Sequence, residues 1–335
     1  MKNGVRYIVL FLVVVALISV GCLSVSCGGK EEAKKEPVGE ETAEETEAKK
    51  DYQQYNWSAM EGGPYKDKVS YATSNDLLNW SDSGELLAEH ASVPAAVYKD
   101  EVIFVYFVDV TEDGLPEQLG MIKSTDDGNA WSDRKILKVK GIGDRIIVDP
   151  DPLLLDDGRI RLYYLDFGQK PDPNNPDFKS KIYSAISDDG ENFTQEDGVR
   201  FTSANVFDPD VIKVGDEWNM YVGNIDMNAD VNRVLYAVSS DGLNFKEEGL
   251  AFDGGSVPDV FFKNGTYYLY TAGIDISTSK DGRSFSRTGQ SFHSQLGMIT
   301  ADPSVIELGN GQYIMIFKFS EGMPSTPPEP PEPPQ

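Results

Sequence analysis

One cassette occurs five times along the chain, and this repeat constrains the fold more than any other feature. A short strand opens at a Pro flanked by acidic or small residues, a second strand follows, and a third strand ends in a turn of the form Ser/Thr-x-Asp-Gly-x-x-Phe/Trp or a close variant. The Pro starts read Val93-Pro94-Ala95, Asp149-Pro150-Asp151, Asp208-Pro209-Asp210, Val257-Pro258-Asp259 and Asp302-Pro303-Ser304. The turns read Ser74-Asn75-Asp76-Leu77…Trp80, Thr125-Asp126-Asp127-Gly128…Trp131, Ser187-Asp188-Asp189-Gly190…Phe193, Ser239-Ser240-Asp241-Gly242…Phe245 and Ser279-Lys280-Asp281-Gly282…Phe285. A period of about 40 to 60 residues built only of strands is the signature of a β-propeller.

Parsing each cassette into four strands predicts an all-β, five-bladed β-propeller. Blade one reads Pro94–Tyr98, Val102–Val108, Leu119–Ser124 and Arg134–Val139, and the next three cassettes parse the same way through Phe292. The C-terminal segments Asp302–Leu308 and Gln312–Phe319 supply only two strands, while Val69–Thr73 and Glu85–Leu87 supply two more without a Pro start. Pairing the C-terminal and N-terminal strands in one blade completes the fifth and removes the open edges of an unclosed array. Near-continuous apolar runs such as Ile103-Phe104-Val105-Tyr106, Tyr267-Tyr268-Leu269-Tyr270 and Ile314-Met315-Ile316-Phe317 fit strands sandwiched between blades, which makes their aromatic rings core.

Outside the repeats the composition changes. Lys2 and Arg6 precede an apolar run from Tyr7 to Val20, followed by small residues around the chain's two cysteines. This pattern reads as a signal peptide over residues 1–27. Ser19-Val20-Gly21-Cys22 and Ser24-Val25-Ser26-Cys27 both resemble the lipobox of bacterial lipoproteins, so Cys22, or else Cys27, is the expected lipidation site. Residues 28–50 are nearly all charged or small and read as a disordered tether, residues 51–320 as the propeller, and residues 321–335 as a disordered Pro-rich tail. These readings place the domain at a bacterial cell envelope, extracytoplasmic and lipid-anchored, at the periplasmic face or the cell surface. The formal charge of −25 argues against nucleic-acid partners. A monomer is expected.

Propeller topology separates scaffold from chemistry. The Asp-Gly turns between third and fourth strands fall on the face opposite the pocket and resemble the Asp-box turns of sialidases, so Asp76, Asp127, Asp189, Asp241 and Asp281 are expected to be structural. The Pro starts line the axial funnel, where the innermost strand is an edge that tolerates Pro. Strand alternation predicts that Asp149 and Asp151 point the same way, as do Asp208 and Asp210. Together with Asp259 and Asp302 they crowd one axis, which calls for raised pKa values, a basic side chain such as Arg145, or a cation such as Ca2+. No other cofactor is implied. Asp109, Glu112, Asp113, Glu117, Asp166, the Gln169–Lys179 loop, Asn224, Asp226, Asn228 and Lys318 form an expected second ring around the pocket. His90 and His293 fall outside the Asp-Pro starts.

With these residues in view, the chain looks like the five-bladed propellers of the arabinanase, levansucrase and invertase superfamily, over roughly residues 66 to 320. That resemblance implies a glycoside hydrolase or related carbohydrate-active enzyme. By motif, Asp149, Asp208 and Asp302 match its catalytic Asp-Pro residues as base, tuner and acid in an order left open. Their places around the funnel make Asp151, Asp210, Asp259, Arg145, Asp166 and Asn224 candidates for substrate binding. The family pattern also includes a Glu as general acid on an innermost strand; the corresponding starts here carry Val93 and Ala95, or Val257 and Asp259. The alternative is a non-catalytic carbohydrate- or surface-binding lipoprotein on the same fold, and a cation-dependent scaffold is a third reading.

Overall fold

The computed structural model describes residues 63–112, 115–167, 179–226 and 231–321. The chain divides into two units, Met1–Lys49 and Lys50–Gln335, and every described residue lies in the second. The signal peptide with Cys22 and Cys27, the tether and the Pro-rich tail fall outside the described residues, as do Asp113, Asn228 and most of the Gln169–Lys179 loop.

The described residues form five sheets, one per blade, antiparallel except where Val139–Lys140 adds a short parallel strand to the edge of blade 2. Blade 1 comprises Ala91–Lys99, Val102–Asp109, Gln118–Ser124 and Lys135–Leu137, from the axis outward. Blade 2 begins with Ile147–Leu154, Ile160–Asp166 and Ser180–Ser187, and its outer edge is split into Phe193–Gln195 and Phe201–Ser203. Blade 3 comprises Val206–Val214, Glu217–Asp226, Val231–Ser239 and Lys246–Asp253; blade 4 comprises Asp259–Lys263, Thr266–Thr271, Asp275–Ser279 and Ser286–Ser291. Blade 5 joins the ends of the domain: Lys68–Ser74 pairs with Tyr313–Ser320, which pairs with the innermost Ile299–Glu307. Its expected fourth strand at Glu85–Leu87 is instead two short pieces, Ser81–Asp82 and Ala88–Glu89, that flank this segment.

The main core lies between blades rather than at the centre, in five apolar layers, one for each seam. Two sets of hydrogen bonds run around the ring through these seams. In the first, the residue after the Pro accepts the backbone N–H of the second residue after the Pro in the next blade. Val211 N donates to Asp151 at 2.9 Å, Val260 N to Asp210 at 3.0 Å, Val305 N to Asp259 at 3.2 Å and Ala96 N to Ser304 at 2.9 Å. The seam from blade 1 to blade 2 lacks both halves of this bond. Ala95 has no acceptor, and the residue that would donate is Pro152, which has no N–H.

The second set uses second-strand tyrosines. Tyr106, Tyr163, Tyr221 and Tyr270 donate to the turn carbonyls of Gly190, Gly242, Gly282 and Leu77 in the next blade, at 2.7, 2.8, 2.7 and 2.8 Å. Each ring also packs edge to face against that turn's aromatic residue: Phe193, Phe245, Phe285 and Trp80. Blade 5 has Ile316 at the equivalent place, so the seam to blade 1 lacks the hydroxyl, and Trp131 meets Tyr71 instead. Each set skips one seam, and they skip different ones, so every seam keeps at least one such bond.

The seam to blade 1 also corrects one turn assignment. In four turns the second residue after Ser is the Asp whose Oδ1 accepts the next backbone N–H groups, as Asp189 does from Glu191 and Asn192 at 2.9 and 2.8 Å. In blade 1 that residue is Asp126, not Asp127: Ser124 donates to Asp126 at 2.8 Å, and Ala130 N donates to it at 2.9 Å. An extra residue, Asp127 at φ 57°, lengthens this turn and moves its aromatic plug to Trp131. Alignment on the Gly selects Asp127; the hydrogen bonds align on the Ser.

Candidate functional site

The residue before each Pro has left-handed backbone: Val93, Asp149, Asp208, Val257 and Asp302 have φ of 47°, 50°, 44°, 49° and 49°. Such a conformation is unusual for any non-glycine residue and strained for Val. The pairing register slips at this place in blades 1, 2, 3 and 5, so each of those inner strands carries a bulge. Because the carboxylate-free Val93 and Val257 share the conformation, the strain belongs to the ring. The chemistry is placed on top of it.

All six candidate aspartates line one narrow axial cavity of about 30 Å3, with Val93, Ala95, Val257, Ser304 and the five prolines. Within it they form two tiers. Asp151, Asp210 and Asp259, after the Pro, are buried and each receives a backbone N–H from the next blade. These candidates for substrate binding thus have structural partners. Burial raises all three, opposed by the N–H bonds; it takes Asp259 to about 8 and Asp151 and Asp210 well above the carboxylate range.

The upper tier holds Asp149, Asp208 and Asp302. Asp149 and Asp208 meet across the seam of blades 2 and 3, where Asp208 N donates to Asp149 Oδ2 at 3.1 Å and sets the two carboxyls side by side. Both keep partial solvent access. Burial pushes Asp149 up to about 6, partly offset by the Asp208 N–H, with Asp302 adding to the rise. Asp208 is driven further, by burial and then by the charges of Asp149 and Asp302. Two such carboxyls cannot both ionise at ordinary cost, so this pair holds a proton.

Asp302 has a different neighbour. Lys318, from the second strand of blade 5, lies 2.6 Å from Asp302 Oδ2 and 3.5 Å from Asp67, while Ser92 donates to Asp67 at 2.7 Å. Burial disfavours the Lys318 ammonium, but Asp302 and Asp67 outweigh this and raise its pKa. Lys318, not Arg145, is therefore the cation facing the carboxylates. Arg145 points to the Ile142 carbonyl at 3.2 Å and lies over the Tyr183 ring at 4.3 Å. Lys318 was legible as the one charge in the apolar run Tyr313–Phe319; Asp67, just before the first strand, carried no motif.

The remaining candidates brace the rim. Asp166 accepts Ile146 N at 3.2 Å, Asn224 donates to the carbonyls of Ala204 and Asn205, and Asp109 pairs with Arg134 at 2.7 Å. His90 Nδ1 contacts the Tyr65 carbonyl at 2.7 Å, and His293 Nδ1 contacts Thr300 at 3.2 Å. Among the described residues, no group of three or more His, Cys, Asp or Glu has metal-holding geometry.

The closed ring of five blades is a fold shared with solved glycoside hydrolases of families 32 and 43. No protein-family model and no curated protein matches the chain. Among solved structures, a family 32 β-fructofuranosidase from Bombyx mori is 17% identical with a TM-score of 0.53, over 67% of this chain and 54% of that one. The chain thus spans about half the length of that enzyme. A thermostable family-43 glycoside hydrolase is 14% identical, with a TM-score of 0.53, over 72% and 95%. An N-acetylgalactosamine deacetylase from F. plautii, solved with blood group B trisaccharide, is 15% identical with a TM-score of 0.53, over 72% and 82%. At these identities the likeness establishes the fold.

Proposed function

We propose that this protein is a lipid-anchored, extracytoplasmic carbohydrate-active propeller that binds a sugar at the mouth of the axial cavity and hydrolyses a glycosidic bond there. The observation that carries the reading is the Asp149–Asp208 pair, two neighbouring carboxyls at the cavity mouth, joined through the Asp208 N–H and both pushed toward protonation by burial. A carboxylic acid beside a carboxylate is the equipment of glycoside hydrolysis. One of the pair donates a proton to the departing sugar oxygen, and the other activates the attacking water. Asp302, held by Lys318, adds negative charge that tunes both.

A second reading rests on one further fact. Glycosidase carboxyls stand about 5 to 9.5 Å apart to admit substrate or water between them, whereas Asp149 is hydrogen-bonded to the backbone of Asp208 itself, which holds the two side by side. Hydrolysis then requires an incoming sugar to part them; a protein that only binds sugar leaves them joined.

The two readings separate on release of reducing sugar from a panel of furanosides, fructans and mannosides by the purified protein. Hydrolysis predicts release that Asp149→Asn and Asp208→Asn each abolish. Unchanged turnover in Asp149→Asn removes the assignment, and sugar binding without release from any substrate favours the second reading. Anchoring is tested separately by lipid labelling, which Cys22→Ala abolishes if Cys22 carries the lipid and Cys27→Ala abolishes if Cys27 does.

A further inference from the structure

The upper tier contains more negative than positive groups. Around Asp302 stand Asp149 from blade 2, Asp208 from blade 3, Asp67 from the segment before the first strand, and Lys318 from its own blade. Blades 1 and 4 contribute only the uncharged Val93 and Val257. Beneath lie Asp151, Asp210 and Asp259. Lys318 is the one cation with an ion pair to any carboxylate lining the cavity among the described residues. It is already shared by Asp302 and Asp67.

One lining atom points to what completes the balance. Asp302 is 4% exposed; Lys318 sits against its Oδ2, while its Oδ1 has no hydrogen-bond partner. A buried acceptor without a donor costs about 1–3 kcal/mol, and more when charged. An anionic sugar such as a uronate would add repulsion, and a neutral hydroxyl supplies one donor without charge. An ammonium supplies three donors and the missing positive charge.

From the unpartnered Asp302 Oδ1, the excess of carboxylates in the upper tier and the single shared lysine, we propose that the mouth of the axial cavity selects a cationic amino sugar, its ammonium seated in the cavity against Asp302. This deepens the carbohydrate reading and rests on it. Asp149 and Asp208 keep their acid and base roles, since the ammonium occupies a different carboxylate.

Cation binding and protonation compete for this cluster, so amino-sugar affinity rises with pH as long as the amine itself stays protonated. The test measures binding of glucosamine, galactosamine, their N-acetyl forms, glucose, galactose and ethanolamine to the full protein by calorimetry. It is run at about pH 5 and about pH 7, in buffers of different ionisation enthalpy. The expected result is that amino sugars bind roughly tenfold or more tightly than neutral and N-acetylated ones, a difference of about 1.4 kcal/mol or more. Amino-sugar binding also releases protons and tightens toward pH 7. Asp302→Asn removes the preference; because it strands Lys318, the double variant Asp302→Asn/Lys318→Met is measured beside it and also shows none.

Equal or weaker binding of amino sugars relative to glucose or galactose overturns the ammonium site while leaving the carbohydrate reading intact. Ethanolamine binding that depends on Asp302, with no sugar bound at all, sinks the carbohydrate reading and keeps the ammonium site. Binding of none of the compounds overturns both.

Discussion

The tyrosine bonds between blades give the sharpest test of how the ring is held. Tyr221 is fully buried, its hydroxyl lies 2.7 Å from the Gly282 carbonyl, and its ring packs against Phe285 at 5.9 Å. Replacement by Phe keeps the ring and its packing and deletes only the hydroxyl. The carbonyl then has lost its donor inside a seam, which costs about 1–3 kcal/mol. For a domain of this size each kcal/mol moves Tm by about 2–4 °C, so a central cost near 2 kcal/mol lowers it by about 4 to 8 °C. Thermal unfolding followed by circular dichroism measures this, with Tyr98→Phe as the control. The Tyr98 hydroxyl contacts Asp127 at 3.5 Å on the surface, so its loss stays within about 0.5 kcal/mol. Tyr106→Phe acts at a different seam with no shared partner, so the double variant loses the sum of the two single effects. A Tyr221→Phe protein that melts within about 1 °C of wild type, or no lower than the control, refutes the account.

Three further outcomes follow from the same geometry. Lys318→Met strands the buried Asp67 and Asp302 and costs about 3–5 kcal/mol, and adding Asp302→Asn restores part of it; denaturant unfolding of the four-member cycle reads the coupling, and simple additivity contradicts the ion pair. Asp149 and Asp259, raised to about 6 and about 8, hold more protons folded than unfolded, so stability falls as pH rises through those values, and Asp259→Asn flattens that limb. Asp76, lowered to about 2 chiefly by its Asn79 hydrogen bonds, acts in the opposite sense, losing its contribution as pH falls toward that value, so melting is highest at mildly acidic pH; a flat profile between about pH 5 and pH 9 counts against the axial assignment. Asp126→Ala lowers Tm while Asp127→Gly does not, which a melting comparison decides; the reverse order restores Asp127 as the turn residue.

The architecture was legible in the chain because it is written in local terms. Pro starts, Asp-Gly turns and apolar runs of strand length each report the backbone within a few residues, and their count, together with the two-strand deficits at the ends, yields five blades and their closure. The convergence of Asp149, Asp151, Asp208, Asp210, Asp259 and Asp302 on one axis followed from that count. What each aspartate meets there did not. Asp149 and Asp151 flank one Pro at a bulge and lie in different tiers, with different partners.

The sequence by itself thus determined the repeat, the ring and the face on which chemistry is to be sought. Tertiary structure alone decided that Asp149 faces Asp208, that Lys318 joins Asp302 to Asp67, and that the turn aspartate of blade 1 is Asp126. Local propensity depends on neighbours along the chain, while charge pairing and burial depend on neighbours through space. Closing the ring is what brings Asp67, Asp302 and Lys318, from opposite ends of the domain, within a few ångströms of one another.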